Sequence, residues 1–323
     1  MKPTLLIALL SVLILSWCGP DLLLTGAAGQ APTAQEARKI ANAAPGNARV
    51  EMEKPAKVLV FSLSFGYKHS AIPYGKAALE IMAAKTGAYE AVLSNDISLF
   101  EAHNLAQFDA VVFNNTNNEI FLPENYAELT PEEKVEAEAY DALLKQNLVD
   151  YLSRGGGLMV IHAGVASFRK WPEFGNIIGA RFDNHPWNSG SKVTLKIEEP
   201  EHPLTQAFEA QHFEISDEIY QLKGPYSRDE VRVLLSIDVD KTNMNVGGIH
   251  RKDLDFPITY IKSYGKGRVF YCALGHQHDL FWNPVILRHL LDGVQYATGD
   301  LEASNTPSAK LEPAGAKGEA HGG

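Results

Sequence analysis

The sequence predicts an α/β fold, with a mostly parallel sheet covered by helices on both faces and later antiparallel strands extending one edge. Three observations predict it. Short, nearly continuous apolar runs recur, the pattern of strands buried on both faces. Segments with helical spacing separate these runs in the first half. The second half turns to β-rich runs, two of them joined by a tight turn.

The elements follow in order. KVLVFSLS (57–64) is the first apolar strand. AIPYGKAALEIMAAKTG carries helical spacing and stops at Gly87. EAVLSN (90–95) and DAVVFNNT (109–116) are the second and third strands. The next helix opens with Pro131 and acidic residues, and closes with Arg154 before Gly155, in keeping with the helix dipole. GLMVIHAG (157–164) is a fourth strand, and FRKWPEFGNIIGA a short helix. KVTLKIEE (192–199) and VRVLLSID (231–238) are strands. ITYIKSYGKGRVFYCAL is a hairpin turned at Tyr264–Gly267. Asn283 and Pro284 cap and open a last helix.

The chain has 323 residues, 45% apolar and 21% charged, enough to fill a sizeable core. Its net charge of −10, with no basic stripe interleaved with aromatics, argues against a nucleic-acid partner. Met1–Lys2 precede the apolar run TLLIALLSVLILSW, the pattern of a signal peptide. Cleavage is expected around Ala28–Ala31. Cys18 has the outline of a lipoprotein signal, but Trp17 stands where a small residue belongs. An uncleaved anchor is the third alternative, although Asp21 interrupts the run short of the roughly 20 apolar residues that span a bilayer. The expectation is an exported protein of bacterial type, with a possible membrane tether. Residues 1–31 are then signal or anchor, 32–56 a partly helical linker, 57–301 one domain, and 302–323 a disordered tail that includes His321. Cys272 is the one cysteine of the body, so it forms no internal disulfide. Within its strand it reads as buried apolar filler.

Ligands of open α/β sheets bind beyond the carboxyl ends of the strands. Polar groups gather there: Tyr67, His69 and Ser70 after the first strand; Asn114, Asn115, Asn117 and Glu119 after the third; His162 after the fourth; His276, His278 and Asp279 after the last. Each has a bland alternative. His69 could begin a helix capped by Ser70, and His162 could be a satisfied core histidine. His185, in RFDNHPW, could be a loop residue. Asp217 and Glu218 could be surface acids, although apolar neighbours flank them. His202 is expected to cap the short helix after it, and His250 to sit in a loop that could close over a site. His103, His212 and His289 read as structural or solvated.

His276 and His278, two apart on an extended segment, would face one side. A His/Asp cluster permits general acid/base work. It also permits a bound divalent metal, with His162, His276 and His278 as candidate ligands. No tight metal motif such as HExxH is present. The asparagines, with Tyr67, Trp187 and Trp282, could hold the hydroxyl groups of a small carbohydrate against an aromatic face.

Four segments occur in order: GYKHS, then GGGLMVIHAG with FRKWPEFGNIIGARFDNHP, then SDEIY, then GKGRVFYCALGHQHDLFWNP. Together they resemble the ThuA-like (trehalose utilisation) family over residues 57 to 299. The resemblance implies a class I glutamine amidotransferase-like fold, a flavodoxin-like three-layer α/β sandwich. It also implies a role in sugar metabolism, on trehalose-like or keto-glycoside substrates. Those amidotransferases carry a nucleophilic Cys on the turn after a central strand. Here His162 takes that place, so no glutaminase activity is expected.

The functional expectation is an exported sugar-metabolising enzyme of isomerase, epimerase, lyase or hydrolase type. His162, His276 and His278 form its centre, with His69, His185, Asp217 and Glu218 around it. The alternative is a non-catalytic carbohydrate-binding or sensing module; a protein scaffold is a weaker third reading.

Overall fold

In the computed structural model, which describes residues 29–311, nine strands form one sheet in the order β2-β1-β3-β4-β9-β8-β7-β5-β6. The strands are β1 (Ala56–Phe61), β2 (Tyr89–Ser94), β3 (Ala110–Asn114), β4 (Gly157–Ile161), β5 (Arg181–Ile197), β6 (His212–Lys223), β7 (Arg232–Ile237), β8 (Pro257–Tyr264) and β9 (Gly267–Cys272). From β2 to β9 every neighbour is parallel; from β9 to β6 every neighbour is antiparallel. The parallel half has the 2-1-3-4-5 order of a flavodoxin-like sheet, with β9 in fifth place. The predicted mixed sheet is therefore present, antiparallel extension included.

The central strands are apolar throughout because helices cover both sides. Helices α2 (Ile72–Thr86) and α6 (Pro284–Thr298) pack on one face. Helices α3 (Ala102–Leu105), α4 (Pro131–Arg154) and α5 (Pro172–Ile178) take the other. Thr130 and Glu133 form a capping box ahead of Pro131, and Asn283 accepts from the N–H groups of Val285 and Ile286. Ala71, not Ser70, occupies the cap of α2, and no side chain caps it. The Ser70 hydroxyl is instead paired with His278.

Two boundaries differ from expectation. Residues 32–56 are more than a linker: they hold α1 (Ala34–Ala43), which packs on α2 and on the turn 278–282. Ile40 is fully buried, Tyr74 donates to Glu36, and Arg49 pairs with the buried Asp292 at 2.7 Å. Residues 302–311, expected in a disordered tail, bond to the β7 edge, where Ser308 donates to Val231 and accepts from Val233. The remainder of that tail, and residues 1–28 of the expected signal, lie outside the described residues. Among the described residues no helix is long and apolar enough to cross a membrane.

The sequence pattern predicts a loop around His185 and no strand at 212–223. In the structure both belong to a long antiparallel ribbon, β5 paired with β6. Three register shifts between Phe182 and Ser191 bend it. Such irregular pairing disrupts the period-2 alternation by which strands are recognised. The ribbon carries residues 217–220 back to the carboxyl ends of β4 and β9.

Candidate functional site

Four side chains meet beyond the carboxyl ends of the parallel strands: His69 from the loop after β1, His162 after β4, His276 after β9, and Glu218 from β6. One ligating atom from each can be chosen so that all lie within 4.8 Å of one another. His162 leaves β4 with φ of +47°, a left-handed backbone that costs an imidazole-bearing residue of order 1 kcal/mol. Gly275 makes the close approach of β9 to β4 possible. Its φ is +143°, and a Cβ there would lie 2.9 Å from Ile161 and 3.2 Å from the Cβ of His162.

The partners of the histidines decide what faces inward. His162 donates from Nδ1 to the carbonyl of Ala273 at 2.6 Å, which leaves Nε2 as the lone-pair nitrogen of the neutral ring. That Nε2 lies 3.4 Å from Oε2 of Glu218. The Tyr220 hydroxyl meets Nε2 of His69 at 3.4 Å, so Nδ1 of His69 turns to the cluster. Nδ1 of His276 lies 3.1 Å from the same Glu218 oxygen. His69 Nδ1, His162 Nε2 and His276 Nδ1 are all buried without a hydrogen bond of good geometry. Buried polar atoms are rarely left so.

Charge follows the same geometry. Burial, then the neighbouring His162 and His276, hold His69 neutral and lower its pKa to about 3. Burial opposes charge on His276, but Glu218 outweighs it and raises that pKa. Burial likewise opposes ionisation of Glu218, and the approach of His162 and His276 overcomes it, so its carboxyl is held well below the usual range. Glu218 pairs with three histidines, His162, His276 and His185, the last at 3.4 Å from Oε1. Asp217 is fully buried, and burial raises its pKa against the pull of His162 and several backbone N–H groups.

The other expected residues divide into two groups. Tyr67 and His185 border the cluster. Tyr67 is 63% exposed, lies edge-on to His69 and stacks on His276 at 6.4 Å. His185 is half-exposed and also pairs with Asn188. The rest point elsewhere. His278 does not share a side with His276, because a tight turn begins at that residue. Its ring stacks on Tyr74 at 4.0 Å and pairs with Ser70 at 2.8 Å. It is thus replaced in the cluster by His69 and Glu218.

Asn114 donates to Ser62 and the Ile72 carbonyl, and Asn117 to the Tyr67 carbonyl. Asn115 donates to the Gly275 carbonyl and accepts from Ala163. These amides fasten loops together. Trp187 is buried against Phe256, and Trp282 packs on Tyr74 beneath Lys39. The aromatic and amide clamp expected from sequence is therefore not assembled around the cluster. His202 caps its short helix as expected, and His250 pairs with Asp183 at 2.9 Å. Cys272 is buried, and burial pushes its thiol up to about 11.

Tyr220 is the residue that sequence reading missed. It lies 4.3 Å from the His162 ring and meets His69, two positions beyond Glu218 on β6. The alternation in SDEIY was the available signal. A separate cleft of about 840 Å³, lined among others by Glu198, Arg228, Asp238 and Asp255, shares no residue with the cluster. Within it Arg228 pairs with Asp255 and Glu198.

Comparison with known proteins agrees with this architecture. A ThuA-like protein from Bacteroides uniformis is 20% identical with a TM-score of 0.57, over 76% of this chain and 93% of that one. Another, from Parabacteroides merdae, is 16% identical with a TM-score of 0.53, over 80% and 100%. A cytoplasmic protein from Salmonella typhimurium is 14% identical with a TM-score of 0.51, over 75% and 98%. At these identities the likeness is one of fold. No curated protein matches the chain. The family model described as ThuA, trehalose utilisation, matches residues 57–297, nearly the whole sheet and all four cluster residues, and the chain belongs to that family.

Proposed function

We propose that this protein is a carbohydrate-directed enzyme whose centre is a divalent metal site formed by His69, His162, Glu218 and His276. The observation that carries the reading is the set of three buried ring nitrogens without hydrogen bonds, converging with an ionised carboxylate oxygen. Three imidazoles and one carboxylate suit a first-row cation such as Zn²⁺ or Mn²⁺. When bound, such a cation supplies Lewis acidity toward a carbonyl or hydroxyl oxygen, or toward water.

The chain's own residues have separate tasks. Ala273 and Tyr220 fix which nitrogens of His162 and His69 face inward. His185, exposed beside Glu218, is placed to move a proton at the mouth of the site. Tyr67 offers the apolar face of its ring to a sugar at the same mouth. Proton transfer next to a carbonyl fits isomerisation, epimerisation or elimination of a keto sugar, and hydrolysis is also compatible. The family's link to trehalose utilisation supports carbohydrate as the substrate class. Glutaminase chemistry is not part of the proposal, since His162 occupies the turn where the thiol would be required.

Export belongs to the same proposal and rests on the apolar run 4–17. Mass spectrometry of the secreted or membrane-bound protein would locate a cleavage. The central test is elemental analysis of purified residues 29–323, beside a His276→Ala variant, followed by assays on keto-glycosides. Near-stoichiometric metal in the parent and its loss in the variant are expected. A metal-free parent that turns over keto-glycosides would overturn the metal centre and leave acid/base histidines. Sugar binding without turnover would favour the non-catalytic module.

A further inference from the structure

The three backbones that deliver His162, His276 and Glu218 are tied together by two side chains that do not face the cluster. Asp217 is one. Both its carboxylate oxygens accept from consecutive N–H groups of the turn after β9: Oδ2 from Gly275 at 2.9 Å and His276 at 3.4 Å, and Oδ1 from Gln277 at 3.0 Å. Successive strand residues point to opposite faces, so Glu218 reaches the cluster as Asp217 grips the turn. Asn115 is the other. It accepts from Ala163, the residue after His162, at 3.3 Å, and donates to the Gly275 carbonyl, just before His276, at 3.1 Å. Asn115 has φ of +54°, so this bridge is held at the expense of a disfavoured backbone. Both residues are fully buried.

We propose that Asp217 and Asn115 are positioning residues, a frame that sets the spacing of His162, His276 and Glu218 for a cation. The inference rests on the metal reading above and assigns it a preorganising shell. Buried groups are costly to leave without partners, and here those partners are the backbone groups flanking the ligands. A fold needing only a stable turn could use water or a neutral side chain there. A carboxylate divided over three N–H groups instead holds the turn rigidly.

The test uses isosteric variants. Asp217→Asn replaces one accepting oxygen by a donor, and Asn115→Asp keeps the acceptor but loses the donor to Gly275. Zn²⁺ affinity is measured by competition with a chromophoric chelator, in the wild-type background and in His276→Ala. Each variant should weaken Zn²⁺ binding by about 10- to 100-fold. In the His276→Ala background the further loss from Asp217→Asn should shrink to about twofold, because Asp217 grips the turn that carries His276. Affinities within twofold of wild type, or full additivity with His276→Ala, would overturn the proposal.

Hydrogen exchange of residues 273–279 in the metal-free protein separates this claim from the metal reading. Exchange there should rise at least tenfold in Asp217→Asn, with β1 unchanged. If wild type takes up no metal, the metal reading fails, and the frame is judged on exchange alone; unaltered exchange refutes it. If Asp217→Asn does not fold, Asn115→Asp provides the same comparisons.

Discussion

Nδ1 of His276 lies 3.1 Å from Oε2 of Glu218, closer than either His162 or His185 comes to that carboxylate. The two residues are 58 positions apart in sequence and reach one another from a parallel strand end and an antiparallel ribbon. Their proximity makes Glu218 the pivot of the site. Glu218→Gln keeps the shape and removes the charge. Metal content of purified Glu218→Gln should fall below about a tenth of wild type, and turnover with it. Full metal occupancy in that variant would remove Glu218 from the ligand set.

The metal-free protein should lose stability as pH falls below neutrality. His69 has a folded pKa near 3 against an ordinary 6.5. A group depressed in this way contributes stability above its unfolded pKa and loses it as pH drops toward the folded value. By pH 5 the loss relative to alkaline pH reaches about 2 kcal/mol, most of it below pH 6.5. Glu218, also depressed, adds to the loss below its ordinary carboxylate range. His276, raised, runs the other way: its contribution is present below pH 6.5 and declines as pH rises through its folded pKa. Thermal melts of chelator-treated wild type and His69→Gln from pH 7.5 to 4.5 check this. The variant should show a visibly flatter decline between pH 6.5 and 5.

Tyr67 is exposed, so its removal should leave the fold intact. Tyr67→Ala is expected to raise KM for a sugar substrate roughly three- to tenfold, with kcat and melting temperature little changed. An unchanged KM would mean that the ring does not meet substrate.

Trp187 makes the opposite case. It is 1% exposed and packs against Phe256. Trp187→Phe should cost about 1–3 kcal/mol by denaturant unfolding, through lost packing and the lost bond to the Asn243 carbonyl. Its metal affinity should match wild type. A selective loss of ligand binding at unchanged stability would contradict a core role.

The N-terminal arm carries its own test. Asp292 is fully buried and meets Arg49 at 2.7 Å and Arg288 at 3.6 Å. Arg49→Ala leaves that carboxylate with the more distant partner. The expected cost is about 3 kcal/mol, at the lower end for a broken buried pair because Arg288 remains. A change below 0.5 kcal/mol would show that residues 32–56 contribute little to the domain.

Much of this molecule was legible in sequence. The apolar runs at 57–64, 109–116 and 157–164 revealed strands because both faces of the parallel half are buried and nothing interrupts the pattern. The Pro131 start of α4 and the Asn283 cap of α6 are local chemistry, readable within four residues. His69, His162 and His276 stood out because ligands of such sheets bind at strand ends. The β5–β6 ribbon, apart from residues 192–197, was hidden: its bulges break the alternation, and its polar residues look like a loop. Tyr220 was hidden with it. Asn114, Asn115, Asn117 and Trp187 were misread for a common reason. A polar or aromatic side chain near a strand end can serve a ligand or its own backbone, and composition does not tell these apart.

Sequence alone thus determined the parallel half of the sheet, its helical cover and the edge where polar groups collect, because these depend on local propensity and hydrophobic period. Tertiary structure decided which of those groups share a centre. His278 turns away onto Tyr74 and Ser70, and Glu218 arrives from a ribbon across the sheet. The physical reason is that ligand distances of a few ångströms depend on the packing of distant strands and on buried hydrogen bonds. No short window of the chain contains those interactions.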